Sequence, residues 1–283
     1  MDLIYINTPD SGLGDRILDI MTIYSYSKIL NCNNLYVYWK YENHLGRYLE
    51  LENLLNYIIF PKDLYFFSKQ EKELIINKNK NNIIFNDSLG AISLYLFSEK
   101  YLKDEEHKKL FYKTYFESFN KLKFKNIPEN IKEIFDKNLI TTIHLRRTDK
   151  ISNNKYTHGT DIKELELLNS ATQRFINKQI KNNILVCIIS DDKEIKNEYI
   201  EYNKNNIISF ETNDKISQVY IDFYCLANSH TIFMSQKFST YSIVASLINN
   251  TKLYYYFDYG RLFEFDNLIY NFYKYPNFSK FID

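Results

Sequence analysis

Near the start of the chain the spacing of apolar residues changes twice. Residues 2–7 form a short apolar run that ends in the polar turn Thr8-Pro9-Asp10-Ser11-Gly12. From Leu13 to Leu30 the apolar positions Leu13, Ile17, Ile20, Met21 and Tyr24 recur at spacings of three and four, which places them on one face of a helix. Leu35-Tyr36-Val37-Tyr38-Trp39 returns to an extended pattern. Strand, helix and strand in this order predict a βαβ opening and a parallel sheet. From about 45 to 125 the pattern is less regular. Ile83-Ile84-Phe85 reads as a strand, Glu105 to about Phe124 as a helix, and the Lys/Asn-rich stretch Gln70 to Asn82 as an exposed loop or turn.

Pro128 and Glu129 suit the first turn of a short helix, and a domain boundary is placed here, giving 1–132 and 133–283. Beyond it the alternation is regular. Strands are predicted at 139–144, 184–189, 206–210, 231–235 and 252–256, with helices between them at 161–180, 193–203, 214–227 and 239–249. Strands alternating with helices describe a doubly wound α/β domain. The expected architecture is α/β, two Rossmann-like domains with a cleft between them.

Composition narrows the partners. Lys+Arg number 36 and Asp+Glu 35, a net charge of +1. That argues against a surface that coats a polyanion, so no nucleic acid partner is expected. Cys32, Cys187 and Cys225 are too scattered for a disulfide framework, and no Cys/His metal spacing appears. No leader pattern opens the chain, and no apolar stretch approaches the ~20 residues of a membrane helix. The expectation is a cytoplasmic protein without a membrane span. Glycine and arginine are scarce, at six residues each, so their positions carry information.

Ligands of open α/β sheets bind beyond the carboxyl ends of the strands. Four polar turns fall there: Gly12-Leu13-Gly14-Asp15-Arg16, His144-Leu145-Arg146-Arg147-Thr148-Asp149-Lys150, Ser190-Asp191-Asp192, and Ser235 with Gln236 to Thr240. Gly12 and Gly14 let backbone N–H groups approach an anion, or simply make a tight turn. The Arg146–Arg147 pair is suited to bidentate phosphate binding, with Asp149 able to orient a guanidinium; the alternative is a structural Arg–Asp pair. Asp191 and Asp192 either hydrogen-bond a ligand or cap the next helix. Ser239 either caps the helix from Thr240 or helps its N-terminus hold a phosphate. Asp222 lies on the preceding helix, where a plain exposed carboxylate is the alternative. Cys225 reads as core.

His144-x-Arg-Arg-x-Asp149 after a strand, downstream of a Gly-x-Gly-Asp-Arg turn, resembles the fucosyltransferases that make α1,2 and α1,6 linkages and the related protein O-fucosyltransferases. His144 to Lys150 is most similar to the α1,6 branch, which includes bacterial Nod-factor enzymes. The order Ser190-Asp191-Asp192, Asp222, then Ser235 to Ser239 also matches. The resemblance implies a GT-B-like fold and an inverting, metal-independent transfer of L-fucose from GDP-β-L-fucose to a glycan acceptor, with no cofactor. It gives Arg146 the β-phosphate and the departing GDP. Asp191, Asp192 and Asp222 contact the nucleotide or orient Arg146, and Ser239 touches the phosphates. Gly12 and Gly14 close the cleft from the other lobe. His144, Arg147, Ser235 and Thr240 complete the implied donor site, and Asp149 joins Arg146 as implied catalytic. One position departs: Asn154 stands where the α1,6 enzymes carry a glutamate proposed as general base. Asp149, His158, Asp161 and a carboxylate of the N-terminal lobe are the alternative bases.

Overall fold

The computed structural model describes residues 1–6, 12–39, 50–78, 82–86, 94–146, 162–235, 239–257, 261–264 and 280–281. They fall into two compact units, divided between Asn126 and Ile127.

The first unit contains β1 (Leu3–Tyr5), α1 (Leu13–Ile29), β2 (Leu35–Tyr38), α2 (Leu51–Tyr57), β3 (Ile58–Ile59), β4 (Leu64–Phe67), α3 (Lys72–Lys78), β5 (Ile83–Phe85), α4 (Leu94–Tyr101), α5 (Glu105–Phe119) and β6 (Lys123–Phe124). A parallel sheet runs in the order β4-β2-β1-β5. A two-stranded antiparallel pair joins β3 to β6. The αβ opening forms as the apolar spacing predicts, with Ile17, Ile20 and Met21 fully buried. Aromatic rings fill the space beside the sheet: Phe97 stacks on Phe111 at 5.3 Å, and Tyr26 meets Phe97 edge-on at 5.4 Å. Tyr5, Tyr24, Phe67, Phe85, Phe97, Phe111, Tyr115 and Phe119 of this unit therefore serve as core.

Two expectations here need correction. The stretch Gln70 to Asn82 is not loop throughout, because α3 occupies Lys72–Lys78. Lysine is a good helix former, and the Glu71 carboxylate reaches back to the Ser68 backbone N–H at 2.9 Å and hydroxyl at 3.0 Å, a half of the Ser-x-x-Glu capping arrangement. The helix from Glu105 stops at Phe119, since Lys123 and Phe124 leave it to pair with β3.

The second unit contains α6 (Glu129–Lys137), β7 (Ile140–Leu145), α7 (Ile162–Lys181), β8 (Leu185–Ser190), α8 (Lys193–Tyr202), β9 (Ile207–Ile208), α9 (Lys215–Ala227), β10 (Thr231–Met234), α10 (Thr240–Ile248), β11 (Lys252–Phe257), β12 (Arg261–Glu264) and β13 (Lys280–Phe281). The sheet order is β13-β12-β11-β10-β7-β8-β9. β11 through β9 run parallel, as the alternation predicts. β12 and β13 add antiparallel at one edge; their sequence carries no alternation that announced them.

Strand β7 sorts its side chains by parity. Ile143 and Leu145 enter a cluster with Leu168, Ala171, Phe175 and Ile176 of α7 and Tyr199 of α8. Thr142 and His144 point to the other face. Thr142 Oγ1 bonds there to the Ser229 hydroxyl just after α9, and His144 bonds to α10. Helices α7 and α8 thus cover one face and α9 and α10 the other.

Among the described residues, four that are not glycine take the left-handed conformation: Asn31 (φ 53°), Asn126 (φ 55°), Asn183 (φ 56°) and Asn250 (φ 52°). Asn31, Asn183 and Asn250 sit just past the ends of α1, α7 and α10, where glycine is the usual occupant.

Candidate functional site

The strand ends that lead into three of the polar turns lie side by side in the second unit. β10, β7 and β8 are adjacent and parallel, with Met234, His144 and Ile189 in register. Ser235, Arg146 and Ser190 therefore share one carboxyl edge, the position where open sheets bind ligands.

His144 organises that edge. Its backbone C=O accepts from the Ser235 N–H at 3.0 Å. Its ring Nδ1 lies 2.7 Å from the Ser242 hydroxyl and 3.4 Å from that of Ser239. Tyr241 stands 5.7 Å from the imidazole, ring to ring. The strand end thus grips the first turn of α10 from below. Ser242 was not among the residues singled out from sequence. The signal was its spacing: Ser239 and Ser242 are three apart on a helix start and share a face.

Ser239 occupies the N-cap of α10, yet its side chain makes no capping hydrogen bond. It is buried and turned toward His144. Free N–H groups at a helix start form a donor set with positive potential. Thr240 opens the first turn, half-buried. Ser235 is fully buried, and among the described residues its hydroxyl has no hydrogen-bond partner. A buried hydroxyl in that state costs free energy unless a ligand or water engages it.

Arg146 is half-buried, directly after β7. Arg147 and Asp149 lie outside the described residues, as do Asn154, His158 and Asp161.

The Ser190-Asp191-Asp192 turn is disposed otherwise. The Ser190 hydroxyl donates to Leu145 C=O at 2.8 Å and accepts from Asp192 N–H at 3.0 Å. Asp192 Oδ1 accepts from the N–H groups of Glu194 at 3.0 Å and Ile195 at 3.3 Å. Asp192 therefore caps α8, the structural alternative weighed from sequence. Asp191 is exposed beside it.

Asp222 lies on α9. Gln218, one turn earlier, donates to its Oδ1 at 2.7 Å. Burial pushes its carboxyl up to about 7; the Gln218 bond and the Lys196 ammonium pull the other way, and Glu211 adds to the rise. Lys196 is itself buried and paired to Glu211 at 2.6 Å. The Tyr241 hydroxyl donates to Val219 C=O, which ties α10 to α9. Burial, and after it the Asp222 charge, raise the Tyr241 phenol well above its usual range.

In the first unit, Gly12 is the N-cap of α1 and Gly14 is buried in its first turn. The Gly12 C=O accepts from Arg16 N–H at 3.2 Å. Arg16 is buried with its guanidinium 4.8 Å from the centre of the Trp39 ring, a cation–π contact that fixes α1 to the end of β2. Gly12 takes ordinary extended angles, φ −66° and ψ 168°, so no left-handed geometry demands a glycine there.

Among the described residues no group of three or more His, Cys, Asp or Glu side chains is arranged to hold a metal ion. None of their helices is long and apolar enough to cross a membrane.

The α/β fold just described, with its parallel sheets, is shared with solved fucosyltransferases. The crystal structure of NodZ alpha-1,6-fucosyltransferase soaked with GDP-fucose matches 94% of this chain and 100% of its own, at 14% identity and a TM-score of 0.57. NodZ from Bradyrhizobium gives 14% identity and 0.56 over 94% and 99%. POFUT1 in complex with GDP-fucose gives 12% identity and 0.50 over 88% and 94%. No protein-family model matches the sequence, and no curated protein matches it.

Proposed function

We propose that this protein is a glycosyltransferase that transfers L-fucose from GDP-β-L-fucose to a glycan acceptor. On this reading it inverts the anomeric centre, uses no metal, and is a GT-B-like protein of two Rossmann-like domains. The second domain binds the nucleotide sugar, and the first serves the acceptor. The observation that carries the proposal is the carboxyl edge of β10 and β7. There the buried Ser235 hydroxyl, without a partner among the described residues, and the side-chain-uncapped start of α10 stand beside the strand that Arg146 directly follows. The NodZ and POFUT1 structures, whose fold this chain shares, were solved with GDP-fucose or GDP.

The chemistry follows from the charge that develops. The acceptor oxygen attacks the anomeric carbon while the bond from that carbon to the β-phosphate oxygen breaks. Negative charge grows on the departing diphosphate. Arg146, with Arg147 beside it, and the N–H groups at the start of α10 neutralise that charge where it appears. Ser235 and Ser239 donate to the phosphate oxygens. His144 sets the position of that turn through Ser239 and Ser242. Asp222, with Asp191, is assigned to the nucleoside. Asp192 keeps its cap on α8, so the Ser190-Asp191-Asp192 turn does not present two carboxylates to one cation. Asp149 is assigned to orient the Arg146 guanidinium. The proton leaving the acceptor goes to Asp149, His158 or Asp161, since Asn154 cannot take it.

A thermal-shift panel with GDP, UDP, ADP and CMP, each with and without EDTA, tests the donor. A ligand at 100 times its Kd stabilises by about 2.7 kcal/mol. A rise in Tm with GDP alone, unchanged by EDTA, is expected. A response to UDP, or one that needs metal, would replace the donor assignment.

A further inference from the structure

The geometry points to a second ligand site, for a neutral saccharide, in the groove between α7 and α8. The groove is open to solvent and holds about 540 Å³, a volume within the range of small-molecule sites. It lies on the α7/α8 face of the sheet, whereas the His144–Ser242 junction lies on the α9/α10 face. It therefore does not depend on the donor assignment.

Three features of its lining specify the ligand. Asn169, Gln173 and Asn177 recur every four residues along α7 and so form one row. Each is half-buried, although the core of this face is already supplied by Leu168, Ala171, Phe175 and Ile176. Packing therefore does not call for that row of amides. Gln173 Nε2 donates to Asn177 Oδ1 at 3.3 Å. This leaves a carbonyl oxygen on Gln173 and an amide N–H on Asn177 to engage a ligand that both donates and accepts. That is the habit of a sugar hydroxyl.

Tyrosines of α8 supply the second feature. Tyr199 is only 8% exposed, and its hydroxyl donates across to Asn169 C=O at 3.4 Å, which links the two helices at the floor of the groove. Tyr202, one turn on, is 58% exposed on the lining. An exposed ring at the rim of a polar groove is a stacking platform for the C–H face of a pyranose.

Charge is the third. Arg174 and Glu198 both line the groove and are both exposed. Their signs cancel, so the site has no net pull on a phosphate or an ammonium. Hydroxyl-rich and uncharged is the ligand class that remains.

Saturation-transfer NMR on the full chain, with maltotetraose, cellotetraose and N-acetylchitotetraose as probes, tests the site. At least one tetrasaccharide is expected to give transfer signals. Tyr202→Ala is expected to weaken its binding about tenfold, Tyr202→Phe to preserve it, and Gln173→Ala to weaken it. Arg146→Ala is expected to leave it unchanged. Tyr202 is exposed, so its substitution spares the fold, which the Tm checks. No signal from any of the three sugars overturns the site. So does a signal that Arg146→Ala abolishes and Tyr202→Ala does not, because that ligand sits at the other edge. A negative GDP panel beside a Tyr202-dependent sugar signal would remove the donor assignment and leave this one standing.

Discussion

Two strand ends of the second unit read alike in sequence and finish differently. Ser190-Asp191-Asp192 opens α8, and Ser235 to Ser239 opens α10. The first turn closes on itself: Ser190 bonds to Leu145 and Asp192, and Asp192 caps α8. At the second, Ser239 turns to His144 instead of capping α10, and among the described residues the Ser235 hydroxyl has no hydrogen-bond partner. A polar turn after a strand is thus not in itself a site. What distinguishes a site is whether the turn consumes its own donors or leaves them for a guest.

The comparison can be broken at several points. The largest effect belongs to Arg146→Ala. On the proposed reading kcat for transfer from GDP-fucose falls at least about 100-fold, with a smaller change in GDP affinity. Activity within a few-fold of wild type would sink the leaving-group role.

Asp222 comes next, through pH. Its folded carboxyl titrates at about 7, above its ordinary 3.8. Between these values the folded chain holds a proton that the unfolded chain releases, so this group makes stability fall as pH rises through that window. Asp222→Asn is expected to flatten the fall and to give a higher Tm than wild type above pH 7. Parallel Tm profiles for the two proteins from pH 4 to 8 would contradict the burial assigned to this carboxyl.

The third test sets the two turns directly against each other. Asp192→Ala should cost about 1 kcal/mol of stability and leave GDP binding intact. Ser239→Ala should weaken GDP about tenfold with little change in Tm. Calorimetric titrations that show equal losses of GDP affinity would erase the distinction between the turns. The smallest effect is Ser235→Ala, which removes a hydroxyl without a partner among the described residues. Stability should stay within about 0.5 kcal/mol of wild type or rise, while GDP binds more weakly.

How legible this was in the sequence depends on regularity. The second unit's parallel strands and helices alternate at even intervals, and each predicted element forms within a residue or two, except the shorter β9. β12 and β13 escaped because an antiparallel edge needs no crossover helix to flag it. The first unit was harder. Its strands hold two to four residues, too few for a period to show, and α3 has only seven residues in a lysine- and asparagine-rich stretch. At the candidate site, the strand-end rule singled out Ser235, Ser239 and His144, which the structure brings side by side. Sequence alone could not tell a cap from an open turn, because Ser239 and Asp192 stand in the same position relative to their helices. Ser242 and Gln218 were readable as i+3 and i−4 partners of residues already chosen, Ser239 and Asp222, but only once the helix faces were known.

The asparagines past the helix ends have a meaning beyond stereochemistry. Glycine codons open with two guanines and asparagine codons with two adenines. In a chain with only six glycines, three helices turn back on Asn31, Asn183 and Asn250, the non-glycine residue that best tolerates the left-handed conformation. A drift of the gene toward adenine and thymine can thus be absorbed at the joints of the fold, where the conformation is kept and only the residue holding it changes.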